Sequence, residues 1–487
     1  MAANTHTLAE VLTGIQTGTS RAAYPPSPAA TPVIRQVTID SRLVEPGALY
    51  VALAGMTVDG HDYVAAAGEN GAVAALVAAD KAATLAAAHD WQIVTVGAPA
   101  PAAWQGVLLI AVPDPLAALQ QWATWHRSRF HPPFVVGITG SVGKTSTKEM
   151  VGALLAAALP TLKTPRSYNS ESTLPLVALD LTAAHRAAVF EMGMYAAGEI
   201  ALLASIAQPN IAVVTTVGPS HLERMGSIAA IADAKAELVA AIPADGVVIL
   251  NADDPIVAAF ASRAQARVLT YGTAATADVR ACDVVARGLH GTDIRLVAPG
   301  IDTHLHVPVP GMHQVRNLLA AIAVATVAGV PWAAVAETIA SQLTALRFVI
   351  YDGVADTQII DDSYNAAPTS VKAALELLQT VDRRRVAVLG DMRELGHIEH
   401  DAHRALGSQA VHCADVLVAV GARGRWIADA AIADGMTQVH TAETTEAAIP
   451  LVRALLQPGD CVLIKGSRAM GMEAIVAALR ATTEAPR

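Results

Sequence analysis

From residue 135 onward the chain alternates short apolar runs with amphipathic ones. VVGIT leads into a helix pattern from Lys144. AAVFEM follows, then NIAVVTTV with a helix pattern through AAIADAKAELVAAI, then GVVILNADD. Continuous apolar runs of strand length joined by helical stretches predict a mostly parallel sheet covered on both faces. Ligands of such sheets bind at the C-terminal ends of the strands. A second series, TQIIDDSYN, RVAVLGDM, ADVLVAVG and DCVLIKGS, begins near Leu346 and predicts another open, Rossmann-like α/β sheet. Ahead of residue 131, the runs VTI, ALYVAL, AVAALV, WQIVTV and GVLLIAV alternate with Ala-rich helical stretches and predict a smaller α/β unit. Pro132-Pro133 stops the preceding helix, which places a boundary there. The pattern therefore predicts an α/β protein of three domains, 1–131, 132–345 and 346–487.

Composition agrees with that division. A chain of 487 residues is too long for one core, and the length prior favours about three. Hydrophobic residues make up 53 % but aromatics only 4 %, so the cores are built from Ala, Val, Leu and Ile. Residues 318–336 carry no charge and approach the length of a membrane span. Gly329 and Pro331 interrupt the segment, which predicts two buried helices joined by a turn. The net charge of −10, without a Lys/Arg run, argues against nucleic acid or an anionic membrane surface as partner. Cys282, Cys413 and Cys461 lie far apart with no CxxC, so neither a disulfide framework nor a thiolate metal site is expected. The N-terminus lacks a basic segment followed by an apolar one, so no secretory signal is expected; the scattered cysteines make a reduced cytoplasm the natural reading, and a monomer is expected. YPPSPAATP, residues 24–32, reads as a surface loop or extended linker.

The clearest chemistry lies in TGSVGKTSTKEM, where a strand runs through a glycine-rich turn into a helix. Gly137, Gly140 and Gly143 let the backbone turn and aim N–H groups at an anion, and the helix N-terminus adds partial positive charge. Residues Thr139, Gly140, Ser141, Val142, Gly143, Lys144, Thr145 and Ser146 form the expected phosphate cradle. Lys144 would neutralise a phosphate and the Thr145 hydroxyl would bind Mg²⁺. The usual spacing would put the first glycine at position 138, which is Ile138. Downstream, Glu191 ends an apolar strand, His221 follows another, and Lys235 sits on the next helix. Taken singly, a capping glutamate, a structural histidine and a surface lysine are the blander readings of these three.

Their order along the chain changes that. TGSVGKTSTKEM, EMGMYAAGEI, HLERMGSIAAIADAKAEL, VVILNADDP, GMHQVRNLLAAIAVA, IIDDSYNAAPTSVKAAL, VLGDMRELG and LIKGSRAMGME resemble, in sequence order, the Mur ligase family, ATP-dependent amide-forming enzymes of peptidoglycan assembly, and within it the MurF type. DSRLVEPGALYVALAGMTVDGHDYVAAAGENGA is similar to that family's UDP-substrate domain. The resemblance covers nearly the whole chain, and the family's T-G-x-x-G-K-[ST] loop accounts for Ile138. It implies that Thr145 and Glu191 hold one Mg²⁺, and that His221 and a carbamylated Lys235 serve a second. Asn317 would recognise adenine. Arg347, at the start of the last domain and within a hinge near residues 343–347, would reach the phosphates when that domain closes. Asp362, Tyr364 and Asn365, in the DSYN element, would bind D-alanyl-D-alanine. Ser41 and Arg42, with Asp59-Gly60-His61, are candidates for the UDP-sugar end. Asn169 belongs to SYNSESTLPL, which departs from the family's N-N-x-[IV]-G and lacks its glycine. His397, His400 and His403 share a spacing that invites a zinc assignment, but that pitch drifts around a helix, so a solvated face is expected.

The implied reaction joins D-alanyl-D-alanine to a UDP-N-acetylmuramoyl tripeptide. ATP converts the tripeptide carboxylate to an acyl phosphate, and Lys144, Glu191, His221, Lys235 and Arg347 carry the chemistry. Two alternatives stay open: a sister ligase adding another amino acid or dipeptide, and a nucleotide-dependent binding protein without ligase activity. The D-N-P-R motif of diaminopimelate-adding relatives does not occur.

Overall fold

A computed structural model of the chain describes residues 5–17, 33–55, 57–99, 101, 103–342 and 349–481. Arg347, the 343–347 hinge and YPPSPAATP all lie outside these. The chain forms two compact units, each assembled from separated segments.

The first unit comprises Met1–Gly137, Leu159–Met192 and Glu199–Pro209. Its main sheet is wholly parallel, in the order Gln36–Thr38, Ala48–Val51, Ala72–Ala78, Leu108–Val112, Ile93–Thr95. The predicted apolar runs fall on these strands. The helix Pro115–Ser128 explains why later segments join the unit: its C-terminal turn is polar but buried. Arg127 donates through Nε to Ala207 O (2.8 Å) and through Nη2 to Gln208 O (3.1 Å), and His126 Nε2 donates to Leu181 O (2.8 Å). A buried guanidinium must find such carbonyls or its desolvation is uncompensated. The helix Leu8–Thr17 lies close against the same helix, since a Cβ on Gly14 would come within 2.5 Å of Trp122.

The second unit comprises Ile138–Ala158, Gly193–Gly198 and Asn210–Arg487. Parallel strands Ile211–Val214 and Val247–Asn251 fall on the predicted runs NIAVVTTV and GVVILNADD, and Arg267–Gly272 and Val279–Ala286, outside the predicted runs, extend the parallel sheet. Beyond them the sheet turns antiparallel through Thr292–Ala298 and Ile301–Val307, a ribbon the sequence reading did not anticipate. Thr292–Ala298 alternates buried and half-buried positions, as a strand with one covered face does. The C-terminal sheet runs Val349–Gly353, Thr357–Asp362, Cys461–Lys465, Arg385–Gly390, Val416–Val420, Val439–Ala442, parallel except for its first strand. The apolar stretch near residue 318 is indeed two helices, Met312–Val327 and Trp332–Gln342, parted at Gly329 (φ +68°). No helix among the described residues is long and apolar enough to cross a membrane.

Two expectations about small motifs need revision or gain a cause. Gly137 takes no part in the glycine turn: it lies inside the strand Phe134–Thr139, and the positive-φ residues are Gly140 and Gly143. His403 is a buried structural residue. Its Nε2 accepts from the Met392 N–H (2.9 Å), so its proton is on Nδ1, which donates to Glu399 O (2.6 Å). Both ring nitrogens are thereby occupied, which removes His403 from any metal set.

In the first unit, His6 and His126 meet ring to ring at 4.9 Å. Burial holds His6 down at about 4 and His126 at about 3, and the proximity of the His6 ring lowers His126 further. An unfolded histidine titrates near 6.5, so the unfolded chain takes up protons that the folded unit refuses. This stabilisation is complete above pH 6.5 and is lost as pH falls from 6.5 toward about 3. Denaturation midpoints should therefore drop between pH 7.5 and 5, and His126→Gln, which keeps the donor to Leu181, should flatten the slope; an unchanged slope would contradict the assignment.

Candidate active site

Ile138 and Thr139 end their strand fully buried, and Thr139 O accepts from the Thr215 N–H at 3.0 Å. Ile138 is thus a core residue of the strand, and the turn begins at Gly140. A side chain there is excluded twice over: φ is +149°, and a Cβ would lie 1.8 Å from Thr215 Oγ1. The turn is stitched to the segment that follows Ile211–Val214. Ser141 N–H donates to Thr216 O (2.8 Å), Val142 N–H to Thr216 Oγ1 (3.1 Å), and Thr215 Oγ1 to Val142 O (2.6 Å). Ser141 Oγ both donates to Gly218 O (3.0 Å) and accepts from Gly218 N–H (2.9 Å). Since Thr216 takes the amides of Ser141 and Val142, the anion-attracting part of the loop moves to the first turn of the helix Lys144–Ala156.

Lys144 Nζ folds back onto its own loop, donating to Gly140 O at 2.7 Å. Thr145 occupies the same first turn and Ser146 is buried beneath it. Asn317, on the helix Met312–Val327, packs against the loop: a Cβ on Gly143 would fall 2.6 Å from its Oδ1, which also accepts from Thr147 Oγ1 (3.3 Å). Its Nδ2 donates to Gln314 Oε1 at 3.1 Å.

His221 and Lys235 belong to the same neighbourhood. His221 opens the short helix Leu222–Met225 in a left-handed conformation, φ +59°. Its Nδ1 lies 2.5 Å from Glu394 Oε2, Tyr195 meets its ring edge-on at 4.8 Å, and Arg224 lies over the Tyr195 ring at 5.1 Å. Glu394 is also left-handed (φ +66°), and its carbonyl accepts from the Glu223 N–H at 3.2 Å. Two non-glycine residues in this region cost about 1 kcal/mol or more each and persist where surrounding contacts fix them. Burial lowers the His221 pKa against the pull of Glu394, with Lys144 and Lys235 lowering it further. Lys235, 3 % exposed on the helix Ile228–Ala240, is pushed well below an ordinary lysine by burial and then by Lys144. Burial and a like charge both favour a neutral amine.

Glu191 belongs to the first unit. It ends the buried strand Ala187–Glu191, 1 % exposed, with Oε1 accepting from Asn169 Nδ2 (2.7 Å) and its N–H donating to Thr164 Oγ1 (3.1 Å). Within SYNSEST, Ser170 N–H donates to Thr173 Oγ1 at 3.1 Å. Ser41 and Arg42 form a short 3₁₀ turn capped by Asp40, whose carboxylate also pairs with Arg42 at 2.7 Å. Asp59 accepts from His61 Nδ1 (2.6 Å), whose Nε2 in turn accepts from the Ala78 N–H (3.0 Å).

Asp362, Tyr364 and Asn365 leave the C-terminal end of Thr357–Asp362. Asp362 Oδ2 and Asn365 O both accept from Lys465 Nζ, at 2.6 and 2.9 Å, and Lys465 is 2 % exposed. Tyr364 is exposed and accepts from Arg468 at 2.8 Å. The helix Pro368–Gln379, which follows this element, comes close to the phosphate loop. A Cβ on Gly218 would lie 3.6 Å from Thr369 and 3.9 Å from Ser141. The sequence reading overlooked Glu394 and Lys465. Both fall in quoted motifs, VLGDMRELG and LIKGSRAMGME, but what they touch depends on which strand ends become neighbours.

Comparison with known proteins bears on this arrangement. Residues 33–124 match the description "Mur ligase family, catalytic domain", residues 138–325 "Mur ligase middle domain", and residues 346–468 "Mur ligase, glutamate ligase domain". UDP-N-acetylmuramoyl-tripeptide--D-alanyl-D-alanine ligase of Mycobacterium tuberculosis (strain H37Rv) is 38 % identical over 483 residues, covering 91 % of each chain. The protein of the same name from Escherichia coli is 33 % identical over 450 residues, covering 91 % of this chain and 93 % of its own. Among solved structures, MurF from Acinetobacter baumannii aligns with a TM-score of 0.81 at 28 % identity, over 98 % of this chain and 99 % of its own. MurF from Thermotoga maritima in complex with ADP aligns at 0.75 and 27 %, over 91 % and 97 %. With three successive segments matched in order and relatives similar over nine-tenths of its length, the chain belongs to the Mur ligase family.

Proposed function

We propose that this protein is an ATP-dependent ligase that adds D-alanyl-D-alanine to UDP-N-acetylmuramoyl tripeptide, in the cytoplasm and as a monomer. The observation that carries this reading is the convergence at Gly218. There the phosphate loop, through Ser141, and the helix after Asp362–Ser363–Tyr364–Asn365, through Thr369, both approach to within 4 Å of where a Cβ on Gly218 would lie. An ATP γ-phosphate and an acceptor amine would thus be served from one place. The curated relatives, named for this reaction, support the same substrates.

The assignment of parts follows the sequence reading: 1–131 for the UDP-sugar peptide, 132–345 for ATP, 346–487 for the acceptor and for closure through Arg347. The tripeptide carboxylate attacks the γ-phosphorus, giving an acyl phosphate and ADP. The dipeptide amine then attacks the acyl carbon, and the tetrahedral intermediate expels phosphate. No side-chain nucleophile is needed, so the residues act by positioning and electrostatics. Lys144 would release its contact with Gly140 O to meet phosphate oxygens, while Asn317 holds the loop and the adenine end. Asp362, Tyr364 and Asn365 would hold the dipeptide, and Ser41, Arg42 and Asn169 the UDP-peptide.

The donor chemistry fits Mg²⁺. Thr145 and Glu191 offer the hard oxygen ligands that suit Mg²⁺, while His221 would add only a softer ring nitrogen. Bound Mg²⁺ would supply neutralisation of phosphate charge. Lys235 fits only after modification, because an ammonium would repel a cation. Buried beside Lys144 it favours the neutral amine, which can add to CO₂ to give a carbamate oxygen donor and release one proton.

Incubation with ATP, D-alanyl-D-alanine and the UDP-tripeptide should release phosphate in step with pentapeptide. Phosphate release that ignores the dipeptide, with no pentapeptide by mass spectrometry, would contradict the proposal. For Lys235→Ala we expect turnover to fall by about 100-fold or more, as when a group that stabilises transition-state charge is lost, with nucleotide binding kept and short carboxylates restoring part of the rate. A variant with unimpaired turnover would exclude the carbamate.

A further inference from the structure

The acceptor region contains a cation that the proposed chemistry leaves without a task. The strands Thr357–Asp362 and Cys461–Lys465 are parallel neighbours with Asp362 opposite Lys465, so their following loops leave the same edge side by side. One loop carries Tyr364 and Asn365, the other Arg468. Lys465 is not available to an incoming anion: it is buried, and its ammonium is engaged by Asp362 and the Asn365 carbonyl. Arg468 differs in both respects. It is exposed, and its guanidinium lies over the Tyr364 ring at 4.9 Å while Nη1 donates to the Tyr364 hydroxyl at 2.8 Å. Among the described residues no carboxylate pairs with it.

The loop beneath Arg468 is fixed in place. Ser467 N–H donates to Asp391 O (3.0 Å), Ser467 Oγ accepts from Arg393 N–H (2.9 Å), and Thr445 Oγ1 donates to Met470 O (2.6 Å). The backbone that carries Arg468 is therefore fixed, and Tyr364 holds the guanidinium from one side. What it presents to solvent is a planar set of N–H donors with the geometry to grip a carboxylate through two parallel bonds.

A dipeptide acceptor brings one carboxylate, at the end remote from its reacting amine. We propose that Arg468, steadied by Tyr364, binds that carboxylate and makes the enzyme selective for acceptors ending in a free one. This rests on the ligase reading above. The carboxylate does not change during the reaction, so its binding acts equally on ground and transition states and shows in KM rather than kcat.

The test uses two acceptors, D-alanyl-D-alanine and D-alanyl-D-alaninamide, with the full-length protein and its Arg468→Met and Arg468→Lys variants. For the unaltered protein, the amide should have a kcat/KM lower by roughly 10- to 100-fold, the range for a hydrogen bond to a charged group. Arg468→Met should raise KM for the dipeptide by a similar factor, leave KM for ATP unchanged, and bring the two acceptors close to parity. Arg468→Lys, which keeps the charge but not the fork, should fall between. If Arg468→Met keeps the full preference for the free carboxylate, the inference is overturned while the ligase reading survives. If the unaltered protein makes no pentapeptide at all, the two fall together.

Discussion

The close seat of the glycine turn on the neighbouring segment is the constraint on which the rest of the site depends. With no room for even a methyl at Gly140, the turn lies flat against Thr215 and Thr216, and their side chains and backbone hold it there. That contact aims the helix beginning at Lys144 and places Ser141 against Gly218. Gly218 is also the position that Thr369 approaches, so the same seat fixes where the loop and the helix Pro368–Gln379 come together. A backbone turn anchored in this way keeps its shape, so only the Lys144 side chain would have to move from Gly140 O to meet an anion.

The two lysines near this loop face opposite demands. Lys144 is half-buried and donates to the loop carbonyl, whereas for Lys235 burial and then the neighbouring Lys144 disfavour the ammonium form. Burial and a neighbouring cation act in the same direction on Lys235, and carbamylation would turn that unfavourable position into a useful one. His221, pinned between Glu394 and Tyr195, completes the neighbourhood.

The strands and the loop were legible in the sequence because both follow local rules. Apolar runs of strand length read as buried parallel strands, and Gly-Lys-Thr between a strand and a helix reads as an anion cradle. The antiparallel ribbon from Val279 to Val307 was missed: it carries no motif, and its half-covered face gives a weaker signal than a buried strand. Gly137 was misplaced because a glycine inside a strand looks the same, in sequence, as one in the turn after it. Glu394 and Lys465 were invisible as site residues for a different reason. Their partners lie 173 and 103 positions away, and only the juxtaposition of strand ends makes those contacts. Arg468 is the same case, an ordinary exposed arginine until Tyr364 is placed beneath it.

The central claim is that the loop serves to turn a carboxylate into an acyl phosphate. Its most direct test is a turnover with ¹⁸O in the terminal carboxylate of the UDP-tripeptide, followed by mass analysis of the released phosphate. An acyl phosphate requires one carboxylate oxygen to leave with phosphorus, so the account predicts one ¹⁸O transferred per phosphate formed. Unlabelled phosphate accompanying pentapeptide formation would contradict it.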